Sequence, residues 1–115
     1  MLTTNEIAEI VQRIVTRLRP EKVILFGSYA KGMVTPRSDL DLFVIQETIL
    51  PFTRRANSVT PLLTTASVRV DLHIYTPEEV ESYRQQPFSF VSNVLASGQI
   101  MYTRDGAGPV HWSDK

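Results

Sequence analysis

A chain of 115 residues has room for one domain around a single core and none for a second. Its hydrophobic share of 43% and charged share of 21% lie close to the average for soluble globular chains, which excludes a disordered or fibrous polymer. Lys+Arg 12 balances Asp+Glu 12, so there is no global basic field to hold bare nucleic acid, and direct nucleic-acid binding is not expected.

Cysteine is absent, which removes disulfides, thiolate metal sites and cysteine nucleophiles together and fits a cytoplasmic setting. Apolar runs such as Val23-Ile24-Leu25-Phe26 are far too short to span a bilayer, and the first residues have neither a basic n-region nor an apolar h-region. Neither secretion nor a membrane span is expected.

Thr3-Thr4-Asn5-Glu6 has the spacing of a capping box, and Ile7, Ile10, Val11, Ile14 and Leu18 repeat at helical intervals until Pro20. This predicts an amphipathic first helix. Val23 to Phe26, apolar throughout and bounded by Pro20 and Gly27, predicts a strand buried on both faces. Gly27-Ser28 then sits at a strand end.

From Asp39 to Ile45 the period becomes two, with Leu40, Leu42 and Val44 on one face and Asp39, Asp41, Phe43 and Ile45 on the other. Residues 51–65 read as a helix that Pro61 kinks or ends. Ser67 to Tyr75 alternates again, placing Val68, Val70, Leu72 and Ile74 opposite Arg69, Asp71, His73 and Tyr75. Thr76-Pro77-Glu78-Glu79 starts a helix in the order N-cap, proline, acid. Phe88, Val91 and Leu95 give one more short helical face with Gly98 as its cap, and Gln99 to Thr103 reads as a final strand. The domain is expected to span residues 1–103, with 104–115 a loose tail holding His111 and Trp112.

The chemistry concentrates at two places. Asp39 and Asp41, at i and i+2 on one strand face, have Cα atoms roughly 6.5–7 Å apart, so both carboxylates can converge on an oxygen-seeking divalent cation, with Mg²⁺ the natural candidate. Asp71 presents itself the same way on its own strand, and joins them if the two strands are neighbours. The plainer reading of Asp71 is a surface acid paired with Arg69 or His73. Gly27-Ser28 offers close backbone approach, open N–H groups and a hydroxyl for phosphate oxygens, while Lys31 and Arg37 add positive charge nearby. A phosphate cradle beside metal-binding carboxylates is equipment for phosphoryl or nucleotidyl transfer. His73 reads as a strand histidine rather than a ligand, and Arg54-Arg55 as a solvated helix face.

Gly27-Ser28, ten intervening residues and Asp39-Leu40-Asp41, with Asp71 downstream, resemble the signature of the DNA polymerase β-like nucleotidyltransferase superfamily. The fuller pattern, Leu25-Phe26-Gly27-Ser28, Ser38-Asp39-Leu40-Asp41-Leu42 and Val70-Asp71-Leu72 followed by Tyr75-Thr76-Pro77-Glu78-Glu79, is similar to the minimal nucleotidyltransferases, the MntA-type antitoxins paired with HEPN toxins. The resemblance covers nearly the whole chain. It implies an α+β fold with a mixed sheet flanked by helices, two Mg²⁺ ions on Asp39, Asp41 and Asp71, and a nucleotide triphosphate held by Gly27, Ser28 and Lys31. It further implies ATP as donor and a tyrosine hydroxyl of a HEPN toxin as acceptor. Lys31, where arginine is common, and Pro61 are departures, and neither touches the carboxylates. Two other functions fit the same motifs: an antitoxin that binds nucleotide but neutralises by occlusion, and an aminoglycoside-type transferase, for which the chain is short of an acceptor pocket.

Overall fold

The computed structural model describes residues 1–63 and 68–105. Helix α1 (Thr4–Leu18) starts where the capping box lies: the Glu6 N–H donates to the Thr3 hydroxyl at 3.2 Å and the Thr3 N–H to the Glu6 carboxylate at 2.8 Å. Ile7, Ile10, Val11 and Ile14 form its buried stripe, and a left-handed Arg19 ends it before Pro20.

Four strands form a mixed sheet in the order β3-β2-β1-β4. β1 (Lys22–Phe26) lies antiparallel to both β2 (Leu40–Ile45) and β4 (Gln99–Thr103), and β3 (Val70–Tyr75) runs parallel to β2. The two inner strands are covered on both faces, which is why β1 and β2 carry apolar residues on both. Leu40, Leu42 and Val44 pack with the α1 stripe, Val23, Leu25 and Ile74. On the other face Ile24, Phe43 and Ile45 meet Val80 of α3 (Pro77–Arg84) and Val91 and Val94 of α4 (Phe90–Ser97). The expected α+β class and the face assignments of both strands therefore hold. No helix among the described residues is long and apolar enough to cross a membrane.

Three expectations are corrected. Residues 51–65 do not form a helix: over the described part, two short 3-10 segments, Phe52–Arg54 and Thr60–Leu63, flank a run of turns, consistent with the missing N–H of Pro61. Thr64, Thr65 and Ser67 lie outside the described residues, as do His111 and Trp112 of the expected tail. Gly98 is the cap of α4, as expected, and its backbone is extended (φ −76°); a Cβ there would collide with Ile24 Cγ2 and stand 2.7 Å from the Val94 carbonyl oxygen, so packing and not backbone freedom requires glycine. Phe88 does not join the apolar face of α4, because Ser89 caps the helix one residue later and leaves Phe88 outside it.

Arg55 is the third. Its guanidinium is buried (9% exposed) and donates to both Glu79 carboxylate oxygens at 2.6 and 3.1 Å, to Leu50 O at 3.0 Å and to Ile74 O at 3.1 Å. Arg54 alone keeps the solvated reading. Glu79 also accepts the Thr76 N–H at 2.9 Å, so one carboxylate caps α3 and holds Arg55, whose bond to Ile74 O ties the 3-10 segment to β3. Hydrogen bonding to Arg55 holds the Glu79 carboxyl below its usual range despite burial.

Glu79→Ala should therefore destabilise the fold by roughly 2–4 kcal/mol, toward the lower end for a broken buried pair because the Glu79 side chain is one-third exposed. A lowered folded pKa contributes stability above the unfolded value, and that contribution should fade as pH drops below it. Urea titrations at pH 7 and pH 3 measure both effects. A loss under about 0.5 kcal/mol at pH 7 would refute the clamp.

Candidate active site

The site forms where β1 ends and β2 and β3 begin. Phe26, the last residue of β1, is the cross-strand partner of Asp41, and the chain then turns through Gly27 into the one-turn helix α2 (Ser28–Lys31). Gly27 has φ 77° and ψ −155°, a region essentially confined to glycine, and a Cβ on it would stand 2.5 Å from Asp41 Oδ2. Backbone shape and lack of space thus impose glycine independently. As N-cap, Gly27 brings no side-chain oxygen to the first N–H groups of α2, and its carbonyl accepts from Ala30 and Lys31 at 3.1 and 3.2 Å. Ser28 lies half-buried at this helix start.

A turn at Thr35–Ser38, closed by the Ser38 N–H on Thr35 O and by the Thr35 N–H on Ser38 Oγ, delivers Asp39 to the start of β2. Pairing with β3 begins at once, with the Leu40 N–H donating to Arg69 O at 2.8 Å. The parallel register sets Asp41 opposite Asp71 and Phe43 opposite His73. Strand adjacency, which the residue pattern alone left open, is present.

Burial raises the Asp41 carboxyl above its ordinary pKa, the negative charges of Asp71 and Asp39 push the same way, and His73 opposes them. The charged form of Asp41 is thus disfavoured where it stands. Asp71 is partly committed elsewhere, since Arg69 Nε donates to its Oδ1 at 2.9 Å, the plainer pairing anticipated for it. Among the described residues, no three acidic or histidine side chains stand close enough to hold a metal ion as they are. Asp41 and Asp71 share one end and one face of the sheet, with Asp39 one residue before β2, and the carboxylates form no ready cage.

Lys31 and Arg37 are exposed, in the last turn of α2 and in the turn before β2, and among the described residues no hydrogen bond or ion pair joins either to the carboxylates. A recess of about 430 Å³ opens on the β3 side, lined by Arg69, Asp71 and Leu72 with Ala56, Thr60 and Leu63. On the sheet face inward of Asp71, His73 packs edge-on to Phe26 and tilted against Phe90, each at 5.3 Å between ring centroids. Phe90 is a neighbour of the site that helical periodicity does not mark.

Acidic strand ends beside a bare glycine–serine helix start, on a four-stranded mixed sheet, define the class of protein that transfers nucleotidyl groups. Residues 5–107 match the family described as polymerase beta, nucleotidyltransferase, and the chain belongs to that family of enzymes. A relative from Methanocaldococcus jannaschii, provisionally named a protein adenylyltransferase, is 35% identical over 86 residues, 75% of this chain and 82% of its own length. A Sulfolobus solfataricus structure, provisionally named a nucleotidyltransferase, superposes with a TM-score of 0.59 at 18% identity, covering 89% of this chain and 81% of that one. A toxin-antitoxin structure with AMP-PNP gives 0.57 at 22%, covering 89% and 74%. At these identities the two structures show the shared fold.

Proposed function

We propose that this chain is a Mg²⁺-dependent adenylyltransferase that moves AMP from ATP to a tyrosine hydroxyl of a HEPN-type toxin and so acts as its antitoxin. The observation that carries the reading is the in-register pair Asp41 and Asp71, with Gly27 packed against the Asp41 carboxylate. The provisional name of the archaeal relative and the AMP-PNP-containing toxin-antitoxin neighbour support the nucleotide and the partner.

The donor set fits Mg²⁺: three carboxylates supply only oxygen, and the excess negative charge at Asp41 is what a divalent cation relieves. Asp39, Asp41 and Asp71 would hold the ion, for which Asp71 must share its carboxylate with Arg69. Held there, the ion would supply Lewis-acid polarisation of the α-phosphate and charge neutralisation for pyrophosphate. Ser28 donates its hydroxyl to a phosphate oxygen, the first N–H groups of α2 face the same anion, and Lys31 adds charge at the rim. Asp71 orients the acceptor hydroxyl and takes its proton as the oxygen attacks the α-phosphorus; the bond to the bridging oxygen breaks and pyrophosphate leaves. Residues 1–103 form the catalytic unit.

The test is mass spectrometry of a HEPN partner incubated with this chain, ATP and Mg²⁺. The partner should gain AMP in a manner that requires both Mg²⁺ and Asp39. One observation favours a second reading, occlusion without chemistry: Asp71 is paired with Arg69. A partner that is inhibited but unmodified, and inhibited equally by Asp39→Asn, would establish occlusion.

Ser28→Ala should weaken ATP binding by roughly 1.5–3 kcal/mol, about 10- to 150-fold, with little change in unfolding, because a hydroxyl bonded to a charged acceptor is lost while backbone donors remain. Calorimetry with Mg²⁺ present measures it; an unchanged Kd would remove Ser28 from the phosphate cradle.

A further inference from the structure

Residues 85–103 contain no Asp, Glu, Lys, Arg or His, although charged residues make up 21% of the chain. This neutral segment begins in the loop that joins α3 to α4, and Phe90 just after it packs edge-on to Phe26, the cross-strand partner of Asp41. Phe88 is 92% exposed and sits at φ 65°, in the left-handed region that a bulky side chain rarely adopts. Two unfavourable features, strain and an exposed ring, meet at one residue. Phe90, the first residue of α4, remains 40% exposed while its ring packs against His73, two positions along the same strand face from Asp71. Beyond it the outer side of α4 shows Asn93, Ala96 and Ser97, all small and uncharged.

Depletion of charge together with exposed aromatic rings is the composition of a protein–protein interface core. Nucleic acid would need several cations here; residues 85–103 supply none, and Arg84, which adjoins the loop at the end of α3, is ion-paired with Glu81 at 3.4 Å. A nucleobase would cover one ring, whereas the uncharged surface runs from Phe88 along α4. We infer that this surface, continuous through Phe90 and His73 with Asp71, docks the acceptor protein through an apolar, uncharged patch, and that the ring carrying the acceptor hydroxyl lies against Phe88 and Phe90. The inference rests on the adenylyltransferase reading and adds the place and chemistry of the acceptor. Contact with Phe90 puts that ring beside the strand on which Asp71 receives the proton.

The probe is N-acetyl-tyrosinamide, titrated into the full chain and followed by NMR, with N-acetyl-serinamide and adenosine as parallel arms. Tyrosinamide should give saturable shifts centred on Phe88, Phe90 and His73, serinamide should not, and adenosine should not compete. Phe88→Ser, at an exposed position outside the nucleotide site, should weaken tyrosinamide binding roughly fivefold and leave the ATP affinity unchanged. Shifts centred elsewhere, equal shifts with serinamide, or unchanged binding by Phe88→Ser overturn the proposal. Competition by adenosine would reassign the surface to the nucleobase, and a concentration-dependent dimer lost in Phe88→Ser would reassign it to a second copy of the chain; either also overturns it. Failure of AMP transfer with ring binding intact counts against the adenylyltransferase reading alone.

Discussion

Asp41→Asn should lower nucleotidyl transfer at least about 100-fold and at the same time make the protein more stable at pH 7. The two effects share one cause. Asp41 sits opposite Asp71 and close to Asp39, and its carboxyl is raised by burial first and by these two charges second. A raised folded pKa means that the folded state binds the proton more tightly than the unfolded state, so ionisation of Asp41 destabilises the fold as pH rises through this range. An uncharged amide of the same shape removes that penalty and also removes a charged oxygen donor from a site that works by electrostatics. The stability difference should close as pH falls to where Asp41 is protonated in both states. Thermal unfolding from pH 3 to pH 8 and a transfer assay test the two arms separately. Half the wild-type turnover in Asp41→Asn would refute its role, and an equal Tm at every pH would refute the charge repulsion.

Gly27→Ala should damage stability and activity together. Its φ and ψ of 77° and −155° lie where an alanine is strained by roughly 1–3 kcal/mol, and its new methyl would stand 2.5 Å from Asp41 Oδ2. The atom it meets is the end of a side chain, so the clash relaxes by rotating the carboxylate rather than by moving the sheet. That rotation changes the position of the Asp41 oxygens relative to Asp71 across the register. Urea unfolding should show the strain, and ATP titration with Mg²⁺ should show weakened binding beyond what Ser28→Ala causes. A variant with wild-type stability and ATP affinity would mean that neither the backbone region nor the close approach matters.

The contrast between Gly27 and Gly98 illustrates what can be read from a chain. At Gly27 a strand end followed by serine and, downstream, an Asp-x-Asp pair already implied close backbone approach, and the structure adds Asp41 as the group approached. At Gly98 a helix end implied a cap, and the structure shows an extended cap residue pressed against Ile24 and Val94. Only the packing of α4 on β1 creates that demand.

Local physics determined much of this protein from sequence alone. Capping boxes at Thr3 and Thr76, the helical stripe of α1 and the period-two patterns of β2 and β3 are short-range signals, since each rests on hydrogen bonds or side-chain directions within a few residues. They put Asp39, Asp41 and Asp71 on defined strand faces. Which strands are neighbours is a long-range matter, and the parallel pairing that sets Asp41 against Asp71 is decided by the crossover between them, whose described part holds two 3-10 segments where the local pattern implies a helix. Arg55 shows why: beside Arg54 in sequence it looks solvated, yet its partners Glu79 and Ile74 come from beyond β2, and no local pattern encodes a bond across that separation. The tertiary structure likewise decided that Arg69 holds one oxygen of Asp71 and that Phe90 lies over His73, because both depend on side chains meeting at the crowded end of a closed sheet.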